Sequence, residues 1–293
     1  MRPDREPERA KEMAGRAARV FIGMLAALLV DFFWGAAAPQ VAPGHASDPP
    51  AGGSRRPATE ALPTADLLRY APAPFEVRRP PALPAIPPHI VLHGSRHAPR
   101  VALTFDACAT RQKSGYDERL IQVLIEKQAA ATLFLGGKWM AEHPEAVRYL
   151  ASCSLFELAN HSFLHPHLIE LNDDRVRQEL WWTQVLMYSL TGRQALLFRA
   201  PFAEIDARVA GVAAEMGLTS IQYDLASGDP DASATAARLI KNVLQRTRNG
   251  SIIVMHMNGR GRHTAEALPV IIDELRRRGF TLVTVGELIL DIR

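Results

Sequence analysis

Two histidines four residues apart in HSFLH, His161 and His165, are the first candidates for chemistry. On a turn or short helix after a strand, that spacing lets both imidazoles face one ion. Two neutral nitrogens with a water and an oxygen ligand suit Zn²⁺ or a similar divalent metal. His167 follows closely and reads as a surface or outer residue more than as a ligand. Three further groups stand at the ends of apolar runs. Asp106 closes VALTF, Arg199 follows LLF, and His256 follows IIVM. A histidine at the end of such a strand titrates near neutrality and can serve as a general acid. An arginine there calls for a carboxylate partner. Asp224, Asp229 and Asp231 share the stretch YDLASGDPD. Arg260, Arg262 and His263 follow His256 in GRGRH; they read as a solvated loop, with contact to an anionic substrate as the sharper alternative.

These residues need a scaffold that collects strand ends. From about residue 97 the chain alternates apolar runs of strand length with helical-period segments. The expected strands are 101–106, 131–137, 155–160, 196–201, 220–227, 251–257 and 281–288. The segments between them carry helical periodicity, and several end in glycine. Seven repeats of this alternation predict a parallel sheet with crossover helices, both faces covered. Length and strand number favour a closed or nearly closed barrel, with an open doubly wound sheet as the alternative. In either, the C-terminal strand ends form the active face, where five of the seven strands deliver polar residues. No GxGxxG follows the first strand, which argues against a dinucleotide.

The 293 residues are 47% hydrophobic and 22% charged, with a formal net charge of +3. No run of Lys/Arg interleaves with aromatics, so nucleic acid is not expected as a partner. Two cysteines, Cys108 and Cys153, exclude a disulfide scaffold and a cysteine zinc cluster. Residues 1–19 form a charged, basic-leaning N-terminal region. Residues 20–38, VFIGMLAALLVDFFWGAAA, have the apolar stretch and small-residue end of an export signal. They are also about 20 residues long, enough to span a bilayer. A cleaved signal and an uncleaved membrane anchor are both open, and both predict an exported chain, periplasmic or extracellular. Residues 39–88 hold 13 of the 21 prolines, which makes 39–95 a Pro-rich linker. The expected domain is 96–293.

The motifs TFD (104–106), HSFLH (161–165), RAPF (199–202), SGD (227–229) and VMH (254–256) resemble, in order, the five motifs of the polysaccharide deacetylases. These are the NodB homology domains of carbohydrate esterase family four, and the resemblance covers roughly residues 97–290. It implies a distorted seven-stranded (β/α) barrel and metal-dependent removal of N-acetyl groups from a polysaccharide. Peptidoglycan, a chitin-like polymer or an exopolysaccharide N-acetylhexosamine would be the substrate. It implies one divalent ion, Zn foremost, with Co, Ni or Mn as alternatives. By the same resemblance Asp106 matches the general base, His161 and His165 the metal ligands, and Arg199 the arginine that orients the base. His256 matches the general acid, Asp229 its orienting carboxylate, and the backbone N–H of Phe202 the oxyanion donor.

Two departures stand out. The family reads TFDD where this chain reads TFDA, so Ala107 replaces the usual oxygen ligand. Asp117, water or Asp106 itself could fill the gap, although Asp117 reads first as a helix N-cap. Pro230 stands where the family often has Trp. A glycan-binding module that lost its metal and an amidase acting on a non-sugar amide are the competing functions. In this fold Cys108 lies on the catalytic face and Cys153 on the opposite one, too far apart to bridge.

Overall fold

The computed structural model describes residues 76–111 and 113–290. The N-terminal basic region, the signal or anchor segment and the linker up to residue 75 lie outside the described residues. Nine strands form one parallel sheet: β1 (Ile90–Val91), β2 (Arg100–Ala107), β3 (Ala131–Leu135), β4 (Phe156–Asn160), β5 (Leu197–Phe198), β6 (Thr219–Ile221), β7 (Leu225–Ala226), β8 (Ile252–His256) and β9 (Thr281–Leu282). Their order is β1-β6-β5-β4-β3-β2-β8-β7, with β9 added beside β2. The path closes through the chain itself, because β6, next to one end, and β7, at the other end, are successive parts of one stretch. The first part pairs toward β5 and the second toward β8. This is the distorted parallel barrel expected above, with one seam made by a bend instead of a ladder.

Strand alternation sorts the side chains into two cores. On β2, Val101, Leu103, Phe105 and Ala107 face outward into the large core under the helices. Ala102, Thr104 and Asp106 face the barrel interior, where Ala102 joins Phe134, Leu197, Ile221 and Ile252 in a smaller inner core. Full burial of each large apolar side chain contributes roughly 1.5–3 kcal/mol. The interior turns polar toward the C-terminal strand ends, which is where a cleft opens.

The helices are α1 (Glu118–Glu126), α2 (Gly137–Glu142), α3 (Pro144–Ser152), α4 (Asp173–Thr191), α5 (Ala207–Glu215), α6 (Ala236–Arg246), α7 (Thr264–Arg277) and α8 (Val285–Ile289). Side-chain N-caps open α1, α4, α5 and α6 at Asp117, Asn172, Asp206 and Thr235. Gly192, at φ 69°, closes α4 in the left-handed conformation that glycine adopts without strain.

Three features depart from the sequence reading. The expected strand 281–288 is only two residues of strand, followed by α8. A capping box between Thr284 and Glu287 starts that helix. Its buried Val285, Leu288 and Ile289 plug the inner core. The expected strand 220–227 breaks at residues 222–224 to make the seam. The segment assigned to the linker contributes β1, paired with β6, and the proline-rich residues before it pack on the domain, with Ile86 N donating to the Ala214 carbonyl at 3.0 Å.

Candidate active site

At the C-terminal strand ends lies a cleft of about 230 Å³, lined among others by Asp106, Cys108, His161, His165, Arg199 and His256. Register places two of its members side by side: Asp106 on β2 is the partner of His256 on β8. Arg199 stands just past β5, its backbone N–H donating to the Asn160 carbonyl at the end of β4. The two-residue period brings Asp106, and then Cys108, to the cleft side of β2. Ala107 points the other way, into the outer core.

Asp106 and Arg199 form a buried ion pair. Arg199 Nη1 donates to Asp106 Oδ1 at 2.7 Å and to Thr104 Oγ1 at 2.9 Å, and Nη2 donates to the Gln222 carbonyl at 3.2 Å. The guanidinium also lies over the Phe134 ring, 3.9 Å from its centroid. Burial pushes the Asp106 carboxyl up, but Arg199, then His161 and His256, outweigh it and hold the group below its ordinary value. The site therefore keeps a charged carboxylate, with its orientation fixed by a planar partner.

His256 and Asp229 form the opposite pair. His256 Nδ1 donates to Asp229 Oδ1 at 2.9 Å, and its backbone N–H donates to Oδ2 at 2.7 Å. Thr264 Oγ1 donates to the same Oδ2 at 2.9 Å. Burial disfavours the imidazolium, yet the hydrogen bond to Asp229 and the nearby Cys108 raise its pKa to about 10. His256 thus holds its proton more tightly than a free imidazole does.

His161 and His165 come from the loop after β4. His161 Nδ1 donates to the Arg199 carbonyl at 2.9 Å, which fixes the tautomer and leaves the Nε2 lone pair facing the cleft. The loop is held from behind by Glu179 on α4, whose Oε2 accepts from the amides of Phe163 and Leu164 at 2.8 and 2.7 Å. Ser162 and His165 have φ of 59° and 61°, a conformation that non-glycine residues adopt at an energetic cost and that clusters at functional sites. Phe202, at φ 58°, lines the cleft half exposed and packs against His165 and His167.

Among the described residues, one group of His, Cys, Asp or Glu donors could hold a metal: Cys108, His161 and His165, with donor atoms all within 4.8 Å of one another. Imidazole nitrogens with a thiol, one nitrogen aimed by an outer hydrogen bond, fit a divalent transition ion. The sequence reading placed Cys108 on the catalytic face but gave it no role as a donor; β2 runs on to Ala107, and the alternation carries Cys108 to the same side as Asp106. Asp117 is far from this role. It caps α1, with Oδ1 accepting from Leu120 N at 3.0 Å.

The remaining candidates fall outside the reacting groups. Asp224 accepts from Ile252 N, Ser251 Oγ and Arg96 Nη2, tying β8 to the seam. Asp231 holds a turn with Ser233. His167 is exposed and bonded to Glu204 at the rim. Arg260 and Pro230 line the cleft. His263 pairs with Glu266, and Arg262 bonds Asp229 only through its backbone. Cys108 follows the C-terminal end of β2 and Cys153 precedes the N-terminal end of β4; both are free.

A parallel α/β barrel that gathers a histidine pair and two carboxylate-held bases at its strand ends has the architecture of a NodB-type hydrolase domain. Residues 93–221 match the family model described as polysaccharide deacetylase. It is 26% identical over 211 residues to an uncharacterized Bacillus subtilis protein, covering 72% of this chain and 64% of that one. It therefore spans slightly less than two thirds of that relative. A peptidoglycan-N-acetylglucosamine deacetylase of Bacillus cereus is 27% identical over 194 residues, covering 66% of this chain and 69% of that one. Among solved structures, a mutant CE4 family pseudoenzyme with restored enzymatic activity aligns with a TM-score of 0.64 at 25% identity, covering 70% of this chain and 73% of that one. The wild-type form of that pseudoenzyme comes from Bacillus anthracis.

Proposed function

We propose that the protein is an exported, metal-dependent hydrolase that removes N-acetyl groups from a glycan, with peptidoglycan or another N-acetylhexosamine polymer as the substrate class. The observation that carries this reading is the pair of oppositely poised groups flanking the histidines. Asp106 is held charged by Arg199 at 2.7 Å, and His256 is held protonated by Asp229 at 2.9 Å. A base and an acid on neighbouring strands, with their environments driving their proton affinities apart, are what amide hydrolysis needs.

His161 and His165 would hold the ion. When bound, it supplies Lewis acidity that polarises the acetyl carbonyl and makes water a better nucleophile. Asp106 accepts the proton of the attacking water, and Arg199 keeps its carboxylate ionised and aimed. The Phe202 backbone N–H would serve as the donor to the negative charge that develops on the carbonyl oxygen. His256 then gives its Nε2 proton to the departing amine, and Asp229 stabilises the imidazolium until that step. Residues 20–38 would deliver or tether the domain outside the inner membrane.

Likeness to a pseudoenzyme and the alanine at 107 favour a binding module instead. Against this, both charged pairs are complete and buried, and buried ionised groups are expensive to keep without a use. The test is acetate release from N-acetylglucosamine oligomers and from peptidoglycan by zinc-loaded protein. Release that a chelator abolishes and that His256→Ala lowers by about 10²–10⁴-fold supports the hydrolase. Saturable glycan binding with no acetate release supports the module.

A further inference from the structure

We infer that Cys108, as its thiolate, is the third protein ligand of the divalent ion, making a Cys-His-His centre that selects thiophilic metals of the zinc class. The inference rests on the reading that His161 and His165 bind a metal, and it goes beyond that reading by naming the donor and the class of ion.

Three independent features of the structure carry it. The first is distance. A zinc–sulfur bond of about 2.3 Å and a zinc–nitrogen bond of about 2.0–2.1 Å, at a tetrahedral angle, place sulfur and nitrogen about 3.6 Å apart. Cys108 Sγ and His161 Nε2 are 3.6 Å apart. The second is orientation. His161 Nδ1 is occupied by the Arg199 carbonyl, so Nε2 is the atom turned toward the sulfur and is available as a ligand. The third is backbone anchoring. The Cys108 carbonyl accepts from Asn258 Nδ2 at 2.8 Å and Ser114 Oγ at 3.2 Å, from two different loops. The residue is held in place and is 2% exposed.

Asp106 Oδ2 lies 3.9 Å from His161 Nε2, but the carboxylate is committed to Arg199 through Oδ1 and falls outside the donor cluster. Ala107 faces the outer core, and Asp117 is engaged in its helix cap. Three protein donors would leave one position of a four-coordinate ion for water or substrate. That is the pattern of a catalytic centre; structural zinc sites close all four positions. A thiolate carries the same single negative charge as a carboxylate, so the charge of the centre is kept while its preference moves from oxygen-seeking ions toward zinc and cobalt. Magnesium and manganese should bind poorly.

The experiment uses the full chain with Cys153→Ser, so that Cys108 is its one remaining cysteine. The apoprotein is titrated with Co²⁺ and followed in the near ultraviolet. The expected result is one cobalt per chain, an intense thiolate-to-cobalt charge-transfer band, and protection of Cys108 from iodoacetamide. Zn²⁺ should abolish the band by displacement, while millimolar Mg²⁺ should leave it unchanged. Adding Cys108→Ser should remove the band and weaken cobalt binding by at least about tenfold, since even outer partners of metal ligands are worth 10–100-fold. Cys108→Asp should recover affinity without the band. One cobalt per chain with no band, and unchanged affinity in Cys108→Ser, would overturn the inference and leave the metal hydrolase standing. No cobalt or zinc bound at all would overturn both. Should the serine variant fail to fold, the band and the alkylation protection in the parent decide the question.

Discussion

Replacing Arg199 by Met should reverse the pH dependence of stability in the acid range. The guanidinium is 1% exposed and makes three hydrogen bonds, of 2.7, 2.9 and 3.2 Å, to Asp106, Thr104 and the Gln222 carbonyl. Removing one member of a buried ion pair costs about 3–5 kcal/mol, because the partner's charge stays buried without compensation. At about 2–4 °C per kcal/mol for a domain of this size, Arg199→Met should melt about 6–20 °C lower near neutral pH. The pH profile separates this cause from lost packing. In the native protein the Asp106 pKa lies below its ordinary value of 3.8. Its contribution is therefore present above 3.8 and lost as pH falls through the lower folded value. Without Arg199, burial becomes the dominant influence and pushes the folded pKa above 3.8. The carboxyl then favours folding only when protonated, and stability falls as pH rises through the raised value. Urea unfolding in the presence of a chelator, from about pH 3 to about pH 6, should show the gap between the two proteins widening with pH. Adding Asp106→Asn to Arg199→Met should recover part of the loss, through a coupling of about 0.5–3 kcal/mol. A constant gap across that range, with no recovery in the double variant, would refute the assignment of Asp106 as a carboxylate held ionised by Arg199.

Two further outcomes follow from the other anchors of the site. The folded pKa of His256, about 10, lies above the ordinary 6.5, so its bond to Asp229 stabilises fully below 6.5 and fades as pH rises through about 10. Asp229→Asn should therefore be most destabilising below pH 6.5 and approach the parent near pH 10, and its His256 resonance should titrate at lower pH in NMR. Glu179→Ala removes the oxygen that accepts from the Phe163 and Leu164 amides behind the histidine loop, at a cost of about 1–3 kcal/mol. It should weaken zinc binding by about 10–100-fold, whereas Glu179→Gln, which keeps an accepting oxygen, should stay near the parent.

The chemistry of the site could be read along the chain, because each group stands where an apolar run stops. Asp106, Arg199 and His256 are legible as strand-end residues, and the four-residue spacing of His161 and His165 is legible as a shared ligand pair. The alternation of strands and helices is equally local, since hydrophobic period and chain punctuation set it. The sequence around 281–288 misled for the same reason. Val, Leu and Thr alternate there as in a strand, yet Thr284 and Glu287 cap a helix whose three apolar residues fill the end of the barrel. Local pattern cannot weigh that burial, which depends on side chains from β1 to β6 and from β8. The break at residues 222–224 is likewise a matter of closing the ring: one stretch must pair with strands on both sides of a seam.

The pairings within the site belong to tertiary structure alone. Asp106 meets His256 through the register of β2 on β8, between residues 150 apart. Arg199 meets Asp106 because β5 lies across the barrel from β2, and no spacing along the chain encodes that distance. Cys108 stands between the two cases. Its identity and its two-residue offset from Asp106 are in the sequence, and alternation puts both on one face of β2. That this face is also the one turned toward His161 and His165 is settled by the closure of the sheet.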